Sequence, residues 1–301
     1  MSASAPVWSV ALLPAVLAGA ALATAALDAA LDRGGAVAAP LREAARLLVA
    51  QPRVTVAADR LLWRVGIVTL PVAAVLAGLV LPLGFRSVAD LEVGVVWFNA
   101  LEVFAWAAVW LVGWGPNSPF ALVGGYRFVA QGLAYELPHM FALITAALGA
   151  ESLRVGEIVA AQSGLWFVVW MPVAFVLYVL SAMAMAFWGP FDHPVATDAA
   201  GGAAAELAGV DRLVFQAGRW ILLVAAVALA VPLFLGGGHG PLLPPWAWTA
   251  VKTAALLALV VWLRRRLPTL RMERYMELAW VVLVPLAILQ ALVVAIVVLV
   301  A

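Results

Sequence analysis

The sequence has no cysteine, only three histidines and few charged residues. The lack of cysteine excludes disulfides, thiolate metal sites and an iron–sulfur cluster bound by this chain alone. His139, His193 and His239 are far apart and lack the spacing of metal ligands, so no metal site is expected. Charged residues make up 11% of the chain and the net charge is +1, so no nucleic-acid partner is expected.

Apolar residues are abundant instead. Hydrophobic residues make up 66% of the sequence and the mean hydropathy is +1.09, more than a soluble domain of this length could cover with polar surface. We predict an all-α polytopic membrane protein with one integral membrane domain over residues 1–301, because helices satisfy their own backbone hydrogen bonds in lipid. Eight apolar segments are long enough to cross a bilayer: residues 7–30, 62–83, 93–112, 128–149, 158–188, 213–235, 246–263 and 279–300.

The basic residues predict how these segments are oriented. Fourteen of the seventeen lysines and arginines lie in or beside the odd-numbered connections, the exceptions being Arg86, Arg154 and Lys252. By the positive-inside rule the odd-numbered connections are cytoplasmic and both termini lie outside. The N-terminus lacks the basic region of a cleavable signal, so the first apolar segment is predicted to be a retained span.

The first connection is predicted to contain an amphipathic helix over residues 40–50. Its apolar stripe would consist of Leu41, Ala44, Ala45, Leu48 and Val49, opposite Arg42, Glu43 and Arg46. Such a helix lies in the membrane interface. Two roles stay open: a surface anchor, or a docking ledge for a soluble partner on the cytoplasmic side.

A glutamate lies within the fourth apolar segment. An ionised carboxylate at mid-membrane costs about 2.5 kcal/mol or more, so Glu136 is a candidate functional residue. Polar residues spaced by four would form one helical stripe: Arg127, Gln131, Tyr135 and His139. His139 also shares a face with Glu136, and Pro138 is predicted to loosen the helix beside the carboxylate. A buried glutamate with a purely structural role is the alternative.

Several motifs resemble one known family. They are ADLEVG (89–94), GWGPNS (113–118), ALVGGYR (121–127), AQGLAYELP (130–138), PFDHP (190–194), LFLGG (233–237), WLR (262–264), LPTLR (267–271) and MELAW (276–280). The AQGLAYELP motif is close to A-Q-x-x-S-Y-E-V-P, and PFDHP is close to P-F-D-L-P. Collinear from about residue 38 to 285, these motifs resemble the H subunit of bacterial NADH-quinone oxidoreductase, the complex I subunit 1 family.

The resemblance implies a fold and a place for several residues. Members of this family have eight membrane helices, carry the peripheral redox arm, and form most of the membrane side of the quinone cavity. They also begin a line of buried charged groups that leads to antiporter-like pumping subunits. Glu136 would belong to this line, with Tyr135, Gln131 and Arg127 beside it. Asp192 would lie near the cavity, and Arg264 and Arg271 in the loop that faces the peripheral arm.

The resemblance also implies an activity and partners. The chain would be a non-redox membrane-arm subunit of a proton-translocating NADH-quinone oxidoreductase in the bacterial inner membrane, and it would not be catalytic alone. No cofactor is expected to be bound by this chain alone. The resemblance is compatible with quinone binding at the interface with the peripheral arm. Expected partners are peripheral-arm redox subunits on the cytoplasmic side, small and antiporter-like membrane subunits, and the lipid bilayer.

Four departures from the family pattern fall at the cavity or its acidic entrance. Residues 185–189 replace the family's E-T-N-R-A, the acidic run E-A-E-S-E is reduced at 195–199, Arg219 stands where the family has a glutamate, and residues 32–40 lack a Q-x-R-x-G-P-N segment. These departures keep an alternative open: the equivalent subunit of an energy-converting hydrogenase or formate hydrogenlyase-like complex that does not use quinone. A free-standing carrier or channel is disfavoured because no internal repeat is found.

One membrane carboxylate is additional to the family pattern. Glu102, in the third apolar segment, shares a helical face with Asn99 and Trp106. It either replaces a lost charge or pairs with a neighbour, and the sequence favours neither role. Glu102 and His139 are therefore included with the candidate proton-coupling residues.

Overall fold

The computed structural model describes residues 6–32, 35–195 and 201–300, most of which are helical. Arg33 and Asp198, which belong to the basic first connection and the reduced acidic run, lie outside the described residues. The helices are α1 (Ser9–Ala30), α2 (Ala39–Val49), α3 (Arg60–Gly78), α4 (Gly94–Trp114), α5 (Pro119–Ala150), α6 (Val155–Ala161), α7 (Phe167–Trp170), α8 (Pro172–Met185), α9 (Gly209–Phe234), α10 (Pro245–Arg266), α11 (Met272–Leu278) and α12 (Val284–Val300).

Three short elements complete the fold. A π-helical turn (Ala279–Leu283) makes α11 and α12 continuous, and a 3-10 turn (His193–Val195) follows α8. Strands β1 (Pro82–Leu83) and β2 (Arg86–Ser87) form an antiparallel hairpin between α3 and α4.

Seven helices are long and apolar enough to cross a membrane within the described residues. They are α1, α3, α4, α5, α9, α10 and the continuous α11–α12. The predicted all-α polytopic membrane architecture is therefore confirmed. Helix α5 has 32 residues, about 48 Å, and extends well beyond the predicted 128–149 segment. It continues through Pro138, so the predicted loosening there does not interrupt the helix.

The fifth apolar segment, which is long enough to tilt or to include an interfacial piece, is not one continuous helix. Residues 158–188 contain part of α6, all of α7 and α8, and two breaks. The Gln162 side chain satisfies backbone groups at the first break, between α6 and α7. Its oxygen accepts hydrogen bonds from Phe167 N at 3.1 Å and from Gly236 N at 2.9 Å. Pro172 begins α8, whose 14 residues span only about 21 Å. Irregular backbone is tolerated at this depth because it is buried in protein.

Helix α9 lies at the centre of the bundle, against α1, α3, α8 and α10. Glycines allow the surrounding helices to approach closely. A Cβ atom on Gly218 would lie 2.8 Å from Pro71 N on α3, and one on Gly66 would lie 2.7 Å from Ala108 O on α4. In lipid, such close packing of small residues drives helix association.

The odd-numbered connections meet at one end of the bundle, which we call the arginine face. There, Asp28 at the end of α1 pairs with Arg264 and Arg265 at the end of α10, at 2.5 and 2.9 Å. Glu206, which precedes α9, accepts from Ser118 Oγ at 2.8 Å and pairs with Arg53 at 3.6 Å. The first, third, fifth and seventh connections are thereby joined.

Helix α2 occupies the segment predicted to be amphipathic. It buries Leu47 and leaves Leu41 and Leu48 exposed. On the polar side Arg46 pairs with Glu43 at 2.6 Å, and this hydrogen-bonded guanidinium lowers the pKa of the Glu43 carboxyl. The position of α2 in the membrane interface stays a prediction.

Candidate functional site

Polar side chains collect halfway along α4, α5 and α8, where these three helices meet. We call Glu102, Tyr135, Glu136, His139 and Tyr178 the central cluster. Glu102 is 4% exposed, and Tyr135, His139 and Tyr178 are fully buried. Titratable side chains are expensive to bury in a membrane protein, and they concentrate where they have a function.

Glu102 and His139 face each other within the cluster. The distance from Glu102 Oε2 to His139 Nε2 is 3.5 Å. The imidazole stacks on the Tyr178 ring, with centroids 5.0 Å apart, and lies 6.4 Å from the Phe98 ring. Neither ring nitrogen has a hydrogen-bond partner among the described residues, and the interaction between the Glu102 carboxyl and the Tyr135 hydroxyl falls short of full hydrogen-bond geometry. Because buried polar atoms are nearly always paired, four that lie side by side without a full hydrogen bond mark this as an unusual site.

The two tyrosines of the cluster are held by neighbouring helices. The Tyr135 hydroxyl accepts a hydrogen bond from Trp106 Nε1 at 2.7 Å. Gly132 makes room for this indole, since a Cβ there would lie 2.3 Å from Trp106 Cζ2. The Tyr178 hydroxyl donates to Ala226 O on α9 at 2.8 Å. Both rings are therefore fixed beside Glu102 and His139.

Glu136 lies at the rim of the cluster. It is partly exposed, beside the exposed Leu133, and it has no hydrogen bond or ion pair with any residue that the structure describes. The sequence placed His139 on the same face as Glu136, but the structure buries His139 completely and directs it to Glu102.

The remaining members of the predicted stripe connect the cluster to the arginine face. Gln131 Nε2 donates to Ala184 O at 2.8 Å and to Phe191 O at 3.1 Å, which ties α5 to the end of α8. Arg127 donates to Gly201 O at 2.9 Å, near the start of α9. Both side chains bind backbone carbonyls here, and neither forms a hydrogen bond or ion pair with Glu136 in the described part of the chain. Their predicted part in proton coupling stays a prediction.

Comparison with known proteins identifies the family. The NADH dehydrogenase family model matches residues 32–295. The chain belongs to this family. It is 38% identical over 265 residues to an NADH-quinone oxidoreductase H subunit of Geobacter metallireducens, covering 84% of this chain and 80% of that protein. It is 34% identical over 259 residues to the corresponding H subunit of Geobacillus kaustophilus, covering 84% and 78%. The resemblance inferred from the motifs is confirmed.

Two of the three residues predicted for the quinone cavity and the peripheral-arm loop lie close together at the arginine face. Asp192 accepts from Thr269 Oγ1 at 3.3 Å. The Arg264 guanidinium lies 4.5 Å from the centroid of the Trp188 ring. Gly189 lies between the two, since a Cβ there would be 2.8 Å from Arg264 Cγ and 3.4 Å from Asp192 Oδ2. Asp192 and Arg264 are thus brought together, whereas the Arg271 side chain is exposed.

Two residues of these sites were not predicted from the sequence: one at the arginine face and one in the central cluster. Arg219 appeared only as a departure from the family pattern, but it donates to the carbonyls of Ala186 and Phe187 and lies over the Trp188 ring at 5.6 Å. It therefore caps the end of α8 and lies beside Arg264. Tyr178 had no signal in the sequence, because one tyrosine in an apolar segment does not show which neighbour it contacts.

Proposed function

We propose that this chain is the membrane-arm subunit of a complex I-type NADH-quinone oxidoreductase that connects the peripheral redox arm to proton-translocating subunits. The observation that carries the proposal is the central cluster of carboxyl, imidazole and phenol groups inside the helix bundle of a chain of this family. With no cysteine in the chain, the iron–sulfur clusters and the electron path belong to other subunits. Relatives named as NADH-quinone oxidoreductase subunits disfavour the hydrogenase-type alternative.

Coupling through this chain is electrostatic. A quinone substrate at the interface with the peripheral arm would meet the arginine face, where Asp192, Arg264 and Arg219 lie. Charge changes there act over long distances because the bundle interior has a low dielectric constant. The charges of Glu136 and Glu102 interact within this bundle, so a proton on one carboxyl favours ionisation of the other. Glu136 would pass the change on to a neighbouring subunit.

The orientation follows the charge distribution. The arginine face is cytoplasmic and carries the peripheral-arm subunits. The chain crosses the membrane eight times, with α6 to α8 as the short fifth crossing, and both termini are outside. Helix α2 lies in the cytoplasmic interface. Small and antiporter-like membrane subunits cover the exposed rim beside Glu136.

The test replaces the rim carboxyl. Glu136→Gln keeps the shape and hydrogen-bonding capacity but removes ionisation, whereas Glu136→Asp keeps ionisation and shortens the reach. We expect the Gln variant to assemble normally and to lose most proton translocation, and the Asp variant to retain part of it. Proton uptake is measured in inverted vesicles that contain the assembled complex, driven by NADH and normalised to complex content.

Glu92→Gln is the matched control, because Glu92 precedes α4, its side chain is 88% exposed and it pairs with Arg154 instead of a member of the central cluster. It should translocate protons like the parent. A Glu136→Gln complex that also matches the parent would make Glu136 a structural residue and would contradict the proposed coupling role.

A further inference from the structure

Glu102 and His139 form a buried acid–base pair between two helices. The residues come from α4 and α5, they are 4% and 0% exposed, and their nearest polar atoms are 3.5 Å apart. The titratable groups facing them are Tyr135 and Glu136 on α5, Tyr178 on α8, and Tyr275 on α11. In the described part of the chain, no arginine or lysine forms an ion pair with Glu102.

These contacts separate a structural histidine from a functional one. A buried histidine that serves the fold uses at least one ring nitrogen in a hydrogen bond, and that bond sets its tautomer. His139 uses neither nitrogen with any described residue. Stacking on Tyr178 holds the ring while both nitrogens stay available. The imidazole is thus positioned by its face and free to gain or lose a proton at its edge.

The surroundings limit how many protons the pair can hold. A buried charge with no opposite charge beside it is strongly unfavourable, so the states of the pair with a net charge of +1 or −1 are disfavoured. A net charge of zero requires one shared proton. That proton is either on the carboxyl, next to a neutral imidazole, or on the imidazole, next to a carboxylate.

We propose that Glu102 and His139 form an additional proton-transfer site that controls whether Glu136 is protonated. The O–H bond at Glu102 Oε2 breaks, an N–H bond forms at His139 Nε2, and the total charge of the pair stays zero. The separation of 3.5 Å is slightly longer than a hydrogen bond, so a small approach of the side chains completes the contact.

The transfer changes the field at Glu136 although the pair stays neutral. With the proton on His139, Glu102 is a carboxylate whose repulsion of a charged Glu136 favours the protonated form of Glu136. With the proton on Glu102, that repulsion disappears and Glu136 can release its proton. This inference rests on the proposed function only in that Glu136 is the group that passes protons on.

The first experiment needs no turnover. Infrared spectra of the full-length chain in lipid vesicles, with ¹⁵N-labelled histidine, report protonated carboxyl and imidazolium groups. The Glu102 carboxyl band is assigned by its loss in Glu102→Gln, and the His139 imidazolium band by its loss in His139→Leu. We expect Glu136→Gln, which removes the negative charge at 136, to weaken the Glu102 carboxyl band and strengthen the His139 imidazolium band together. Bands that do not respond, or that change independently, would overturn the proposal.

The second experiment uses the assembled complex. His139→Leu should lower proton uptake per NADH oxidised at least two-fold while NADH oxidation is retained, and the exchanged variant Glu102→His with His139→Glu should recover part of the uptake. His239→Leu, at the opposite end of the bundle from the arginine face, is the matched control and should behave like the parent. If His139→Leu takes up protons like the parent, or if the exchanged variant recovers no uptake, the proposed proton transfer between Glu102 and His139 is wrong. Failure of the proposed function is distinct, because it appears as parent-like uptake in Glu136→Gln.

Discussion

Buried polar residues in this protein fall into two groups according to their hydrogen bonds. Gln131, Gln162 and Lys252 are bonded to backbone groups; Lys252 alone donates to the carbonyls of Leu235, Gly237 and His239 at 2.6 to 3.0 Å. Within a membrane there is no water to satisfy irregular backbone, so these side chains stabilise breaks and loops. Glu102 and His139 instead contact each other at 3.5 Å and form no full hydrogen bond with the described residues, so little there offsets the free energy of burying them.

Gln131 provides a test of the structural group. Gln131→Leu removes the donor to Phe191 O and leaves that buried carbonyl unsatisfied, which should cost about 1–3 kcal/mol. Gln290→Leu is the matched control, since its only hydrogen bond among the described residues is a 3.5 Å contact to Trp170 O. Thermal unfolding of the purified chain in detergent should show a clearly larger loss for Gln131→Leu. Equal losses would mean that the Gln131 bonds do not hold the end of α8.

At the scale of elements, hydrophobic runs predicted most helices but not where one of them breaks. Segments such as 93–112 and 213–235 each became a single helix, and α9 continues through Gly218 and Pro232 without a break. Residues 158–188 contain Gln162, Gly164 and Pro172, and the break there depends on partners from α9 that no local pattern reveals. Similarly, helical spacing placed His139 near Glu136 but could not show that α4 would bring Glu102 to it.

Contact between α3 and α4 depends on a glycine. A Cβ at Gly66 would lie 2.7 Å from Ala108 O and 2.9 Å from Val112 N, which are backbone atoms that cannot move independently. We expect Gly66→Ala to destabilise the protein by about 1–3 kcal/mol through overpacking. Gly19→Ala, in α1, meets nothing within 4 Å and should be neutral or slightly stabilising. Unfolding temperatures of the two purified variants provide the comparison; a parent-like Gly66→Ala would contradict the close packing.

At the scale of the whole molecule, the distribution of basic residues and the contacts between connections both group the odd-numbered connections at one end of the bundle. The carboxylates of Asp28 and Asp32 bind Arg264 and Arg265, which places the first and seventh connections side by side. The second and sixth connections meet at the other end, where Gly84 N donates to Thr249 Oγ1 at 3.1 Å. Composition could predict this grouping because translocating many arginines opposes insertion. It could not predict the ion pairs, which depend on how α1 and α10 pack.

Because the odd-numbered connections lie at one end of the bundle, one experiment can determine on which side of the membrane all of them lie. Paired reporters, one active only in the cytoplasm and one only outside, are fused after Arg60 and after Arg271. Both fusions should be cytoplasmic, because the first and seventh connections carry six and five arginines that resist translocation. A fusion after Arg86, in the hairpin at the other end, is the matched control and should be outside. An outside signal after Arg60 or Arg271 would contradict the eight crossings, and it would place the peripheral arm's proposed docking surface on the wrong side of the membrane.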